Sequence, residues 1–187
     1  MLDFEYSLKR SRRKTISIKI NKKGEVVVSA PYHVTKGRIE AFLNEKRSWI
    51  MKNLELVKTD MQKAQAEGIL TDEELSELIL KAKTYIPERV KYYADLHGID
   101  YGRITIRTQK TRWGSCSSKN NLNFNCLLML TPPEVIDSVV VHELCHIGEM
   151  NHSDRFYEKV LKIYPEYRKW DKWLKENGPA ILIRAKL

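Results

Sequence analysis

The sequence predicts an α+β fold, and three features of its 187 residues support this. Short segments with strand alternation fill the first thirty residues. Longer stretches with helical periodicity follow, and a second group of strand-like segments interrupts them near residues 103–127. With 42% hydrophobic and 30% charged residues, a chain of this length can bury a core and is neither disordered nor fibrous in composition.

The N-terminal part predicts a small antiparallel β-meander followed by a helix. Residues 16–20 alternate isoleucine with polar residues, which is the period of a half-buried strand. The polar turn at 21–24 leads into a return strand at 25–29, and the alternation at 4–8 predicts a third strand. Helical periodicity then extends over residues 35–60, and we expect a polar loop after it.

The next segment predicts a long helix and two further strands. Thr71 and Glu74 have the spacing of a capping box, so we expect a helix to begin there. Pro87 lies inside that helix and is expected to kink or divide it. Apolar residues alternate at 103–108 and again at 122–127, which predicts two short strands on either side of a polar loop.

Capping residues and prolines mark three helices in the last third of the chain. The helix that begins at Thr131–Pro133 has prolines in its first turn and is expected to extend through His146. Ser153 is the expected N-cap of the following helix. A last helix is predicted from Pro165 to about Gly178.

The charge is concentrated in the N-terminal part. The chain has 33 Lys and Arg against 24 Asp and Glu, a formal net charge of +9, and residues 1–60 hold most of the excess. We therefore expect two parts: a basic β-meander with the first helix at 1–60, and a core region at 61–187. A basic surface can attract nucleic acid, so weak nucleic-acid binding is one alternative function. The residues concerned are Lys9, Arg10, Arg12, Arg13, Lys14, Lys19, Lys22 and Lys23.

Composition also indicates a compartment. No apolar run approaches the ~20 residues that a membrane-spanning helix needs, so we expect no membrane association. The chain start contains Asp3 and Glu5 where a secretory signal would be basic and apolar. Cys116, Cys126 and Cys145 are an odd number without zinc-knuckle spacing, which favours reduced thiols and a cytoplasmic location.

The segment His142–His146 reads His-Glu-Leu-Cys-His and predicts a metal site. Residues four apart on a helix lie on one face, so His142 and His146 can bind a single ion. His152 can be the third ligand if the helix ends near Gly148 and the chain turns back. Glu143 would then act as general base and acid on a metal-activated water.

Other ligands and other metals are open at this point. Some zinc peptidases use a downstream glutamate, so Glu158 and Glu166 are alternatives to His152. Cys145 lies between the two helical histidines and is expected to be a packed residue instead of a ligand. Three imidazoles suit zinc, although nickel, cobalt or manganese could occupy the same site.

These motifs resemble the YgjP-like family of predicted metal-dependent hydrolases, which is similar to SprT-like and minigluzincin zinc peptidases. The resemblance covers most of the chain. It implies a zincin-like core in which the active-site helix lies beside a mixed sheet, with 122–127 as the edge strand. The residues that carry the resemblance are His142–His146, Asn151–Ser153, Phe156 and Arg112–Cys116.

The resemblance implies a zinc-dependent hydrolase but leaves the substrate open. A peptide could pair with the edge strand by strand addition. The alternative is hydrolysis of nucleoside triphosphates, UTP in particular, on the same metal site. Arg112 could bind a carboxylate or phosphate, and Trp113 could stack on substrate or fill the core. Asn123 and Asn125 are further candidate substrate contacts on the predicted strand.

Overall fold

The computed structural model describes residues 2–185 and confirms the α+β class. The chain forms two compact units, one ending at Glu67 and one beginning at Gly68. In chain order the described elements are β1 (Tyr6–Ser11), β2 (Ser17–Ile20), β3 (Val26–Pro31), α1 (Lys36–Glu45), α2 (Arg47–Glu67), α3 (Asp72–His97), β4 (Ile104–Arg107), β5 (Gly114–Cys116), β6 (Leu122–Asn125), a 3₁₀-helix (Cys126–Leu130), α4 (Pro133–Cys145), α5 (Asp154–Ile163) and α6 (Tyr167–Arg184).

The sheet of the first unit is mixed, which corrects the expected antiparallel meander. Its strand order is β1-β3-β2, with β1 parallel to β3 and β2 antiparallel to it. Burial explains the order, because Val26, Val28 and Ala30 of β3 are almost completely buried whereas most of β1 is exposed. The most apolar strand takes the middle position, and residues 12–16 carry the chain from β1 across to β2.

Two helices follow where a single helix and a loop were expected. The helix breaks at Lys46, and α2 then continues to Glu67, through most of the region predicted as a polar loop. Residues 58–67 are polar but consist mainly of strong helix formers such as Lys, Met, Gln, Ala and Glu. Ala64 is also buried, so this last part of α2 has packing contacts in addition to its propensity.

The second unit begins with α3, whose predicted cap is confirmed. The Thr71 side chain accepts from the Glu74 amide, and the Glu74 side chain accepts from the Thr71 amide, which is a complete capping box. The helix is continuous through Pro87, so the proline does not divide it. Ile86 and Val90 beside it are fully buried, and this packing offsets the loss of one backbone hydrogen bond.

In the second sheet, β6 is the middle strand and β5 has an open edge. The order is β4-β6-β5, with β4 parallel and β5 antiparallel to β6. The expected edge strand at 122–127 is therefore wrong. Leu122 and Phe124 of β6 are fully buried, and burial on this scale suits a strand that is paired on both sides.

Helix α4 runs through the centre of the second unit and is largely buried. It packs against α3, α5, α6 and β5, and Val140, Val141 and Leu144 are fully buried. Helix α6 extends to Arg184, beyond the expected end near Gly178, because the apolar residues after Pro179 are buried in the same core. Within residues 2–185, no helix combines the length and apolar character needed to cross a membrane.

A partly buried ion pair joins α3 to α4. The Arg89 guanidinium donates to both carboxylate oxygens of Asp137, at 2.7 Å from Nε and 2.8 Å from Nη2. The Tyr93 hydroxyl donates to the same carboxylate at 3.2 Å. Such two-pronged pairs fix orientation as well as distance, so this contact holds the two helices in register.

We expect Asp137→Asn to lower the free energy of unfolding by about 1–3 kcal/mol, because a half-buried guanidinium loses its anionic partner. Urea unfolding followed by near-UV circular dichroism measures the change. Asp95→Asn is the matched control: Asp95 pairs with Lys91 on the exposed side of α3, and the change should be under about 0.5 kcal/mol. Equal effects of the two variants would contradict this role for Asp137.

Candidate metal centre and cleft

Three imidazole rings converge at the C-terminal end of α4. His142 lies in the last turn of α4, His146 directly follows the helix, and His152 lies just before α5. The Nε2 atom of His142 is 3.2 Å from Nε2 of His146 and 3.1 Å from Nε2 of His152. Gly148 turns the chain back with a φ of 99°, the left-handed conformation that favours glycine.

The opposite nitrogens of two rings are held by the protein. Nδ1 of His142 lies 2.8 Å from the hydroxyl of Tyr167, and Nδ1 of His146 lies 3.0 Å from the main-chain oxygen of Glu149. The Glu149 carbonyl can only accept, so Nδ1 of His146 carries the proton and Nε2 is free to bind an ion. The Tyr167 hydroxyl has the same effect on His142 when it accepts from Nδ1. Sequence reasoning missed Tyr167, since it begins α6, 25 residues after His142, and nothing local connects the two.

Phe156 of α5 packs against all three imidazoles. Its ring centroid is 4.9 Å from that of His142, 4.5 Å from His146 and 4.9 Å from His152. Phe156 is completely buried, so the rings rest on a fixed apolar surface. Edge-to-face and stacked contacts of this kind are favourable, and they support the positions in which the three rings converge.

Glu143 is buried beside the histidines and lacks a complete set of partners. It is 5% exposed, and its Oε2 has no hydrogen-bond partner. Burial raises the pKa of Glu143 to about 8, and the positive charge of Arg112 lowers it in part. A bound cation would favour the ionised carboxylate, so a carboxyl group in this state fits a metal site.

Gly114 of β5 makes room for the Glu143 side chain. A Cβ atom at this position would lie 2.6 Å from both Cγ and Oε1 of Glu143, which is closer than any real contact. The sequence predicts that Gly114 permits a tight turn. The structure instead gives it a place in a strand, where the absence of a side chain allows helix and sheet to approach closely.

The three histidines fit a zinc ion. Two nitrogens bound to a tetrahedral zinc at about 2.0–2.1 Å are about 3.3 Å apart, close to the separations between His142 and its two neighbours. Burial, followed by the charges of His146 and His152, lowers the pKa of His142 to about 3, so this ring is neutral and available as a ligand at neutral pH. The donor set therefore matches a three-imidazole site with a further coordination position open.

The alternative ligands lie outside this group. His142, His146 and His152 form the group of potential metal ligands within the described part of the chain. Cys145 is fully buried, and burial raises the pKa of its thiol to about 11, as expected for a packed residue. Glu166 pairs with Lys169 on the surface.

An open cleft of about 240 Å³ lies in front of the three histidines. Strand β5 forms one wall of the cleft, and Glu143 and Arg112 also line it. The Trp113 carbonyl accepts from the Asn125 amide at 2.8 Å, and the Ser117 amide donates to the Asn121 carbonyl at 2.9 Å. Because these bonds alternate along an antiparallel strand, the main-chain groups of Gly114 and Cys116 face the open edge.

The structure brings one of the four predicted substrate contacts into this cleft. Arg112 is exposed and lines it. Trp113 instead lines a second cavity, described below. Asn123 donates to the Ser115 hydroxyl at 3.3 Å, and the fully buried Asn125 donates to the carbonyl oxygens of Gln109 and Arg112 at 2.9 Å. Asn125 therefore holds the loop that carries Arg112.

The basic residues at 9–23 differ in their surroundings. The Arg10 guanidinium donates to the carbonyl oxygens of Pro31, Tyr32 and Val34 at 2.7–3.0 Å, so it holds the chain after β3. Lys9 and Lys19 are exposed on strands that flank β3. Nothing in this arrangement adds support for nucleic-acid binding.

A fold with a central buried helix, three convergent histidines and a buried glutamate beside them is that of a metal-dependent hydrolase. The sequence model described as "YgjP-like, metallopeptidase domain" matches residues 14–76 and 72–177. These segments cover most of the chain, which therefore belongs to the YgjP-like family. The expected family is confirmed.

Solved structures similar to the chain include two metallopeptidase zymogens. Abylysin of Pyrococcus abyssi is 19% identical, with a TM-score of 0.45. The aligned region covers 50% of this chain and 95% of the abylysin chain. Jannalysin of Methanocaldococcus jannaschii is 20% identical, with a TM-score of 0.45. The aligned region covers 50% of this chain and 96% of the jannalysin chain. No curated protein matches the chain.

We expect Gly114→Ala to lower the free energy of unfolding by about 1–3 kcal/mol, because the new methyl group would displace the buried Glu143 side chain. Thermal or urea unfolding measures the change. Gly37→Ala in α1 is the matched control, since nothing lies within 4 Å of the added Cβ atom. An unchanged stability of Gly114→Ala would show that Glu143 can move at little cost.

Proposed function

We propose that this protein is a zinc peptidase in which His142, His146 and His152 hold the ion and Glu143 transfers protons. The observation that carries the proposal is the convergence of three Nε2 atoms beside a buried, incompletely bonded carboxyl group. Membership of a family described as a metallopeptidase domain supports peptide as the substrate class.

When bound, zinc supplies Lewis acidity: it lowers the pKa of a water molecule and polarises the carbonyl group under attack. Side chains and one main-chain carbonyl group position the ligands. Tyr167 and the Glu149 carbonyl keep the His142 and His146 rings in the tautomer that presents Nε2. Phe156 prevents the rings from rotating away.

Glu143 accepts a proton from the attacking water and delivers it to the amine that leaves. Its buried position at the cleft suits both steps, because a carboxylate that a bound cation keeps ionised can take up one proton and then release it. Gly114 keeps the space into which the carboxyl group fits. Arg112, exposed at the cleft, adds positive charge that favours the ionised form of Glu143.

The open edge of β5 provides the place for an extended substrate. The main-chain groups of Gly114 and Cys116 can bond to a peptide backbone, and such bonds are independent of side-chain identity. This edge lies in the wall of the cleft that also contains the histidines. A peptide added to β5 would therefore pass in front of Glu143.

The nucleotide alternative receives no comparable support. A triphosphate needs several cationic groups around it. Among the described residues that line the cleft, Arg112 is the one lysine or arginine. The family description likewise concerns a metallopeptidase domain.

We expect Glu143→Gln to retain one zinc per chain and to lower kcat on a denatured protein by about 10²–10⁴-fold, since the amide cannot carry the proton. Metal analysis and a protease assay measure the two quantities. Glu158→Gln, an exposed change on α5, should leave both unaltered. Full turnover in Glu143→Gln, or wild-type protein that binds no zinc, would refute the proposal.

We expect Tyr167→Phe to weaken zinc binding by about 10–100-fold, because Nδ1 of His142 loses its hydrogen-bond partner. Competition with a fluorescent chelator measures the affinity. Tyr157→Phe serves as control: its ring lies 6.4 Å from that of Tyr167 and no described hydrogen bond ties it to a histidine. Equal affinities in the two variants would contradict a positioning role for Tyr167.

A further inference from the structure

A second cavity lies behind the metal site, between α4 and α6. Its volume is about 150 Å³, and it shares two walls with the cleft, namely His142 and Glu143. A group held in the cavity would therefore lie beside two residues of the candidate metal site. The remaining walls are Trp113, Ser138, Val139, Tyr167, Asp171 and Leu174.

The cavity has rigid walls that are largely apolar. Val139 and Leu174 contribute aliphatic groups and are 7% and 9% exposed. The indole of Trp113 lies over Gly178 of α6, where a Cβ atom would be only 2.9 Å from the Trp113 ring. Trp113 is therefore fixed against a helix and cannot move into the cavity without a change in that contact.

Three of the polar groups in the walls have partners inside the protein, whereas Oε2 of Glu143 has none. The Ser138 hydroxyl donates to the Val135 carbonyl at 2.8 Å. The Asp171 carboxylate accepts from the Lys175 ammonium at 2.6 Å. The Tyr167 hydroxyl is bonded to His142. A polar ligand group would have to break one of these three bonds or pair with Glu143, the residue to which the proposed mechanism assigns proton transfer, whereas an apolar group would leave all of them intact.

The volume of the cavity limits the size of the apolar group that it can hold. A closed apolar cavity of about 150 Å³ holds one benzene molecule, so the space suits a phenyl or branched aliphatic side chain and is too small for an indole. We infer that this cavity receives the apolar side chain, of leucine or phenylalanine size, that flanks the scissile bond. The inference rests on the proposed peptidase function and specifies its substrate class.

Binding can be tested without catalysis. We expect benzene to cause saturable shifts of the Val139 methyl signals in a ¹³C NMR titration of the full chain. Leu174→Trp fills the cavity and should abolish the shifts, whereas Leu80→Trp on the exposed side of α3 should preserve them. Absence of saturable shifts in the wild type, or equal shifts in Leu174→Trp, would overturn the inference.

Cleavage tests the role in specificity. We use zinc-loaded protein and peptides that carry Ala, Leu, Phe or Trp on either side of one scissile bond. At one of the two positions, Leu and Phe should exceed Ala by at least ~10-fold in kcat/KM. Leu174→Trp should reverse this preference towards Ala at unchanged zinc content. Leu174→Ala should admit Trp.

The outcomes separate this inference from the proposed function. Cleavage with no side-chain preference at either position, or with the same preference in Leu174→Trp, would overturn the inference and leave the peptidase function standing. Wild-type protein that binds zinc but cleaves none of the peptides, nor a denatured protein, would overturn the function and the inference together.

Discussion

The structure depends on one electrostatic constraint, the convergence of three imidazole nitrogens beside a buried carboxyl group. His142 cannot relieve the crowding by taking up a proton, because burial and the other two rings lower its pKa to about 3. Glu143 cannot ionise freely, since burial raises its pKa to about 8. A bound cation would be coordinated by the neutral His142 ring and would favour the ionised form of Glu143. Its binding free energy would then contribute to the stability of the fold.

Each member of the site is positioned by a different element of the second unit. Helix α4 supplies His142 and Glu143, β5 approaches through Gly114, α5 supports the rings through Phe156, and α6 supplies Tyr167. The geometry of the site therefore follows from the packing of several elements around the connection between α4 and α5, which carries His146 and His152. The Arg89–Asp137 pair contributes from a distance, because it fixes α4 against α3.

The sequence predicts those features of the site that depend on residues close together in the chain. The four-residue spacing of His142 and His146 implies a shared helix face, and the return to His152 needs only the turn at Gly148. The contacts of Tyr167 and Gly114 lie 25 and 29 residues away along the chain from the groups that they touch, and periodicity carries no such information. The parallel pairing of β1 with β3 escaped prediction for the same reason.

Trp113 shows how a packed residue can also shape a cavity. The sequence leaves open whether it fills the core or meets substrate. In the structure it does the first, on Gly178, and thereby forms a wall of the cavity beside Glu143. The cavity shape thus depends on α6 residues that are not metal ligands, such as Leu174. Under the proposed function, changes at positions such as Leu174 would alter which substrate side chain fits while the histidines and Glu143 stay in place, so chemistry and selectivity could vary separately.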